Sequence, residues 1–96
     1  MRQRGRRFSD PYFSVSVLTN QASCPRLALS IATRTLGTAV ARNLVKRIAR
    51  ESFRLNQHDL PAADFMVSAR DAARRASPRE LRASLDGHFR KIRERG

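Results

Sequence analysis

The chain has no tryptophan, one tyrosine (Tyr12), one cysteine (Cys24), four glycines, four prolines and only eight acidic residues. A lone cysteine excludes a disulfide framework. No apolar run approaches the ~20 residues that a membrane-spanning helix needs. Met1 leads into Arg2, Arg4, Arg6 and Arg7, not into the apolar core of a secretory signal. Val, Ile, Leu and Phe together number 22 among 96 residues, enough for a core but a thin one. A multidomain enzyme is excluded by length. The expectation is a single domain (1–96) in the cytoplasm, with neither a membrane nor a small-molecule substrate as its partner.

What is present is positive charge. Twenty Lys and Arg against eight Asp and Glu give a formal charge of +12. Self-repulsion of that size calls for a polyanion. Eighteen of the twenty cations are arginine, whose planar fork suits phosphate and can stack on bases. Codon bias in a GC-rich genome also turns Lys into Arg, but it does not raise the total. The total points to nucleic acid.

Along the chain, residues 1–10 form a basic arm without periodicity, read as flexible. Phe13, Val15 and Val17 then alternate with Ser14 and Ser16, a strand pattern. Residues 20–25 read as a polar turn. A second strand puts Leu27, Leu29 and Ile31 on one face and Ala28, Ser30 and Ala32 on the other. Gly37 interrupts the chain and Thr38 is placed to cap a helix over Ala39–Asn56. Residues 58–63 form a loop, and 64–70 a third strand with Phe65, Val67 and Ala69 inward and Met66, Ser68 and Arg70 outward. Ser77-Pro78-Arg79-Glu80 is a capping box with proline at the first helical position. The helix that follows lines up Leu81, Leu85, His88 and Ile92 with Phe89 beside them, and Gly87 weakens it. The fold class is α+β: a small sheet of three or four strands, one face covered by a basic crossover helix and a C-terminal amphipathic helix.

The middle helix carries the most information. At 100° per residue, Val40, Leu44, Ile48 and Leu55 share a side, expected to face the core, with Ala41 and Val45 flanking. Arg42, Lys46, Arg47, Arg50 and Arg54 spread over an arc of about 140° on the other side, with Asn43 among them. Glu51 is the helix's only acid. A solvated face is the bland alternative, but five crowded cations repel one another unless an anion lies across them. Asn43 suits a base edge, a ribose hydroxyl or the orientation of a neighbouring arginine.

The run Ala39-Val40-Ala41-Arg42-Asn43-Leu44-Val45-Lys46-Arg47-Ile48-Ala49-Arg50-Glu51-Ser52-Phe53-Arg54 resembles the signature helix of the bacterial ribonuclease P protein family. The family pattern there is Ala-Val-x-Arg-Asn-Arg-x-Lys-Arg-x-x-Arg-Glu. The strand running into Arg34, Leu36 and Gly37, the strand ending at Arg70 and the last helix with Phe89-Arg90-Lys91 fit in order, so the resemblance spans about 5–92. Two departures stand out. Leu44 replaces the second arginine of the triplet, trading an RNA contact for burial beside Val40 and Ile48. Family members also usually begin with a further helix ahead of the point resembling Gly5, which is not seen here. A truncated chain, a start codon assigned downstream of the natural one or a variant whose cleft has one wall missing would each account for this, the start codon being the favoured reading.

The resemblance implies the protein subunit of a ribonucleoprotein that removes the 5′ leader from precursor tRNA. It implies that the chemistry and the Mg²⁺ belong to the RNA subunit, with no metal held tightly by the protein. It also implies a left-handed strand-helix-strand crossover, against the usual rule. Arg34, in the basic turn, joins Arg42, Asn43, Lys46, Arg47, Arg50 and Arg54 as an RNA-binding residue. A groove between the helix and the sheet is implied to hold the leader, with Tyr12 or Phe13 as a stacking surface, according to register. Ser14, Ser30, Ser68 and Arg70 complete its floor. An ordinary water-facing sheet is the alternative for that floor, and a general RNA-binding module the alternative for the whole chain. Protein-borne catalysis finds no support. His58 and His88 sit apart, with His88 on an apolar stripe, and Asp59, Asp64 and Asp71 show no ligand spacing.

Overall fold

The computed structural model describes residues 6–19 and 24–95. Four strands, β1 (Arg6–Ser9), β2 (Phe13–Thr19), β3 (Arg26–Ser30) and β4 (Ala63–Ala69), form one sheet in the order β1-β2-β4-β3. The pairs β1/β2 and β2/β4 are antiparallel, whereas β3 and β4 run parallel. Parallel neighbours cannot be joined by a tight turn. The connection here is a short helix α1 (Thr33–Leu36) followed by the long helix α2 (Ala39–Asn56). A 3-10 turn over Asp71–Arg75 then leads to helix α3 (Pro78–Arg95).

The expected alternation holds. Phe13, Val15, Val17, Phe65 and Val67 are buried on one sheet face under both helices, and Ser14, Ser68 and Ser30 stand in register on the other. Phe53 of α2, Phe65 of β4 and Phe89 of α3 meet at ring-centroid distances of 6.0, 5.9 and 6.3 Å, tilted or edge-to-face. That geometry suits the ring quadrupoles and locks helix to helix to sheet. Leu81, Leu85, His88, Phe89 and Ile92 are buried along α3 as their spacing implies. The capping box forms reciprocally: the Ser77 amide donates to Glu80 Oε1 at 2.8 Å and the Glu80 amide to Ser77 Oγ at 3.2 Å.

Three expectations are corrected. Residues 6–9 of the basic arm are a strand, because Arg6 to Ser9 pair with Val17 to Ser14 and Asp10 turns the chain. Its Oδ1 accepts from the amides of both Tyr12 and Phe13 at 2.9 Å, an Asx turn. Residues 1–5, and 20–23 of the expected polar turn, lie outside the described residues. Secondly, the chain between β3 and Gly37 forms α1, with Leu36 buried. Thirdly, α2 presents a different face to the core. Val40 is 79% exposed and Leu55 57%, while Val45, Ile48, Ala49, Ser52 and Phe53 are buried. The helix has two apolar stripes, and the one bearing Phe53 carries the larger area to be removed from water. Ser52 disguises that stripe as polar, but its hydroxyl donates to Asp86 of α3, so its burial costs little.

Candidate nucleic-acid interface

Helix α2 begins where expected. Gly37 has φ +91°, a left-handed turn that side chains avoid, and Thr38 Oγ accepts from the Ala41 amide at 3.1 Å. With the core face fixed by Phe53, the cations point away from the sheet. Arg47, Arg50 and Arg54 are exposed, Asn43 is exposed, and Lys46 is half-buried. Among the described residues none of these five has an ion pair or a side-chain hydrogen bond. Glu51 does not neutralise them: it faces α3, with Oε1 3.9 Å from Arg82 Nη1. Beside the cations, exposed Val40 and half-buried Leu44 line a shallow depression with Asn43, Lys46, Arg47 and Arg50. Leu44 is thus packed at the rim of the core, as its position implied.

Arg42 differs from its neighbours. Its Nε donates to the Ile31 carbonyl at 2.8 Å, so this guanidinium ties the first turn of α2 to the chain leaving β3. Arg34 lies apart from the α2 arc. The short helix places it with Tyr12, Arg74 and Arg75 around a separate concavity.

The expected leader floor divides as well. Ser14, Ser68 and Arg70 gather around a small depression with Arg7 and Ser9, and Ser30 is paired with Ser68. Phe13 is withdrawn from the set: it is 0% exposed and packed in the core, because the register points it under the helices. Tyr12 precedes β2 and lies at the sheet's end beside Arg34, not on the floor. The floor therefore occupies the sheet face turned away from α2, since the groove expected between α2 and the sheet is filled by Val45, Ala49 and Phe53. At the far end of this open face Arg26 Nε and Asp64 Oδ1 pair at 3.0 Å, next to Leu18, Ala28 and Met66.

Arg7, Ser9, Arg74 and Arg75 line these concavities and were not among the candidate residues that the sequence pointed to. Arg7 and Ser9 became visible only once β1 was known to pair, and the Arg74-Arg75 doublet was legible only as charge.

Two titrating groups with displaced pKa values, His88 and Asp10, lie elsewhere. Burial pushes the His88 imidazole below its usual value, Asp10 opposes that, and Lys91 adds to it. Burial alone raises the Asp10 carboxyl, but the Ser84 hydroxyl and the amides of Phe13 and Tyr12 outweigh it and hold it below the usual range. Ser84 Oγ donates to Asp10 Oδ2, and His88 Nε2 stands 3.4 Å from the same oxygen without hydrogen-bond geometry. This cluster stitches the β1–β2 turn to α3. Among the described residues no three His, Cys, Asp or Glu side chains converge as a metal site. No helix among them is long and apolar enough to cross a membrane.

Known proteins resemble this chain in sequence and in fold. The family model described as Ribonuclease P matches residues 1–93. The ribonuclease P protein component of Vibrio campbellii is 46% identical over 79 residues, covering 82% of this chain and 67% of that protein. That of Photobacterium profundum is 44% identical over 84 residues, 88% of this chain and 71% of the relative. The solved RNase P protein of Staphylococcus aureus superposes with a TM-score of 0.82 at 32% identity, covering 92% of this chain and 80% of that one. The Thermotoga maritima RNase P protein, solved with 1-(4-fluorophenyl)-2-thiourea, gives 0.81 at 28% identity, over 92% and 86%.

Proposed function

This chain belongs to the ribonuclease P protein family, and from that premise we propose how its two polar surfaces divide the subunit's work. The outer arc of α2, with Asn43, Lys46, Arg47, Arg50 and Arg54, lies against the RNA subunit, and Arg42 braces it from below. The open sheet face, with Arg7, Ser14, Ser30, Ser68 and Arg70, receives the single-stranded 5′ leader of precursor tRNA. The single observation that carries the first assignment is the crowd of unpaired cations on α2, whose only acid is turned toward Arg82. A phosphate backbone relieves the repulsion and releases its counterions.

In this reading the protein supplies electrostatics and position. It screens repulsion between two RNAs and extends the substrate's binding site onto protein. We assign bond cleavage to the RNA subunit with its Mg²⁺, as the family resemblance implies. The serines and Arg70 suit a leader because they hydrogen-bond ribose and phosphate without reading a base.

The test is to add the protein to its cognate catalytic RNA at low Mg²⁺ and follow removal of a 5′ leader. The expected results are stimulated cleavage and tighter binding of leader-bearing precursor tRNA than of mature tRNA in the holoenzyme. Equal affinity for the two would leave only a general RNA-binding module.

A further inference from the structure

The structure holds a second basic site that neither α2 nor the open sheet face accounts for. Helix α1, the 3-10 turn over Asp71–Arg75 and the residue before β2 line an open concavity of about 570 Å³, within the size range of small-ligand sites. Arg34, Arg74 and Arg75 converge on it from two elements, and Tyr12, half-buried against the core, supplies the aromatic surface. Among the described residues none of these arginines has an ion pair or a side-chain hydrogen bond. Asp71 also lines the site unpaired, whereas Glu80 is occupied by the Ser77 amide.

The Arg74 guanidinium lies across Gly37, where a Cβ would fall 2.8 Å from Nη2. The glycine ahead of the Thr38 cap thus also leaves room for that guanidinium.

We propose that this concavity binds one nucleoside phosphate, the phosphate held by Arg34 and Arg74 and the base stacked on Tyr12. Arg75 adds charge at the mouth, and Asp71 accepts from a ribose hydroxyl or an exocyclic amine. Each part answers one feature of the site: forks for phosphate, a ring for a π-face, and a carboxylate for a donor in an otherwise cationic pocket. The ligand is either a nucleotide unstacked from a bound RNA or a free mononucleotide. The ligand class rests on the RNA-binding reading above, but the residues are not those of α2.

Tyr12 is the chain's only tyrosine, so full-length protein labelled with 3-fluorotyrosine has a single ¹⁹F resonance at the site. Adenosine 5′-monophosphate and a short single-stranded oligoribonucleotide are titrated in parallel, with inorganic phosphate as competitor. The expected result is a saturable shift, competed by phosphate and about tenfold weaker in affinity in Arg34→Gln or Arg74→Gln. A response to the mononucleotide means that free nucleotide is accepted, and a response to the oligonucleotide alone assigns the site to RNA. Either supports the proposal. A resonance indifferent to both, or an unchanged midpoint in folded Arg34→Gln and Arg74→Gln, overturns it. So does loss of the mononucleotide response in Lys46→Ala/Arg47→Ala/Arg50→Ala. Binding of the RNA subunit, followed separately by anisotropy, shows whether the α2 assignment survives such a failure.

Discussion

His88 and Asp10 show how single residues tie the basic edge of the sheet to the core. His88 is 4% exposed and the fold favours its neutral form. Below its ordinary value of 6.5 the unfolded chain takes up the proton first, so acidification removes stability until the folded imidazole titrates as well. Thermal melts across about pH 7.5 to 5.5 are expected to show this decline, and His88→Gln to flatten it. Rising stability on acidification would instead mean a charged pair with Asp10. The Asp10 contribution runs in the same direction at lower pH: it is present above the ordinary 3.8 and is lost as pH falls through the lower folded value. Gly87 is a simpler case. Nothing lies within 4 Å of a Cβ placed there, so Gly87→Ala should stabilise the chain by about 0.5–1 kcal/mol in a denaturation curve.

Among the elements, α2 and α3 were the most legible. The Gly37-Thr38 entry and the capping box from Ser77 to Glu80 are local chemistry, and the structure places both helices where those signals put them. The buried face of α2 was not legible, because periodicity could not choose between two apolar stripes. Ser52 looked like a surface residue until Asp86 of α3 supplied its partner, and Val40 looked like core. Strand β1 was hidden by its charge, since Arg6 and Arg7 carry no strand pattern; the Asp10-Pro11 turn beside Phe8 was the available signal. The choice of stripe is testable. Phe53→Ala should cost about 3–5 kcal/mol in urea unfolding, while Val40→Ala and Leu55→Ala should cost little. Equal losses at all three positions would contradict the packing.

At the scale of the molecule, the sheet separates two polar surfaces by one thin core. Helices cover one face, and the other keeps serines in register at Ser14, Ser68 and Ser30. The candidate site was legible as residues but not as an assembly. The cations of α2 share one helix and so one arc, whereas the floor and the Tyr12–Arg34 pair depend on strand order and on α1. If the open face takes the leader, Ser14→Trp with Ser68→Trp should weaken leader-bearing precursor tRNA and leave mature tRNA unchanged, measured as a ratio of Kd values in the holoenzyme. An unchanged ratio would send the leader elsewhere.

The most direct test concerns the outer arc of α2. Arg42 is left in place because it bonds to the Ile31 carbonyl, and Lys46, Arg47 and Arg50 are replaced together by alanine, a good helix former. The affinity for the RNA subunit is then measured across a salt series, with circular dichroism confirming the fold. We predict that the triple variant binds more weakly at low salt and that its log–log salt slope is shallower by about 2 to 3, from three lost phosphate contacts. A folded variant with the affinity and salt slope of the parent would contradict the account.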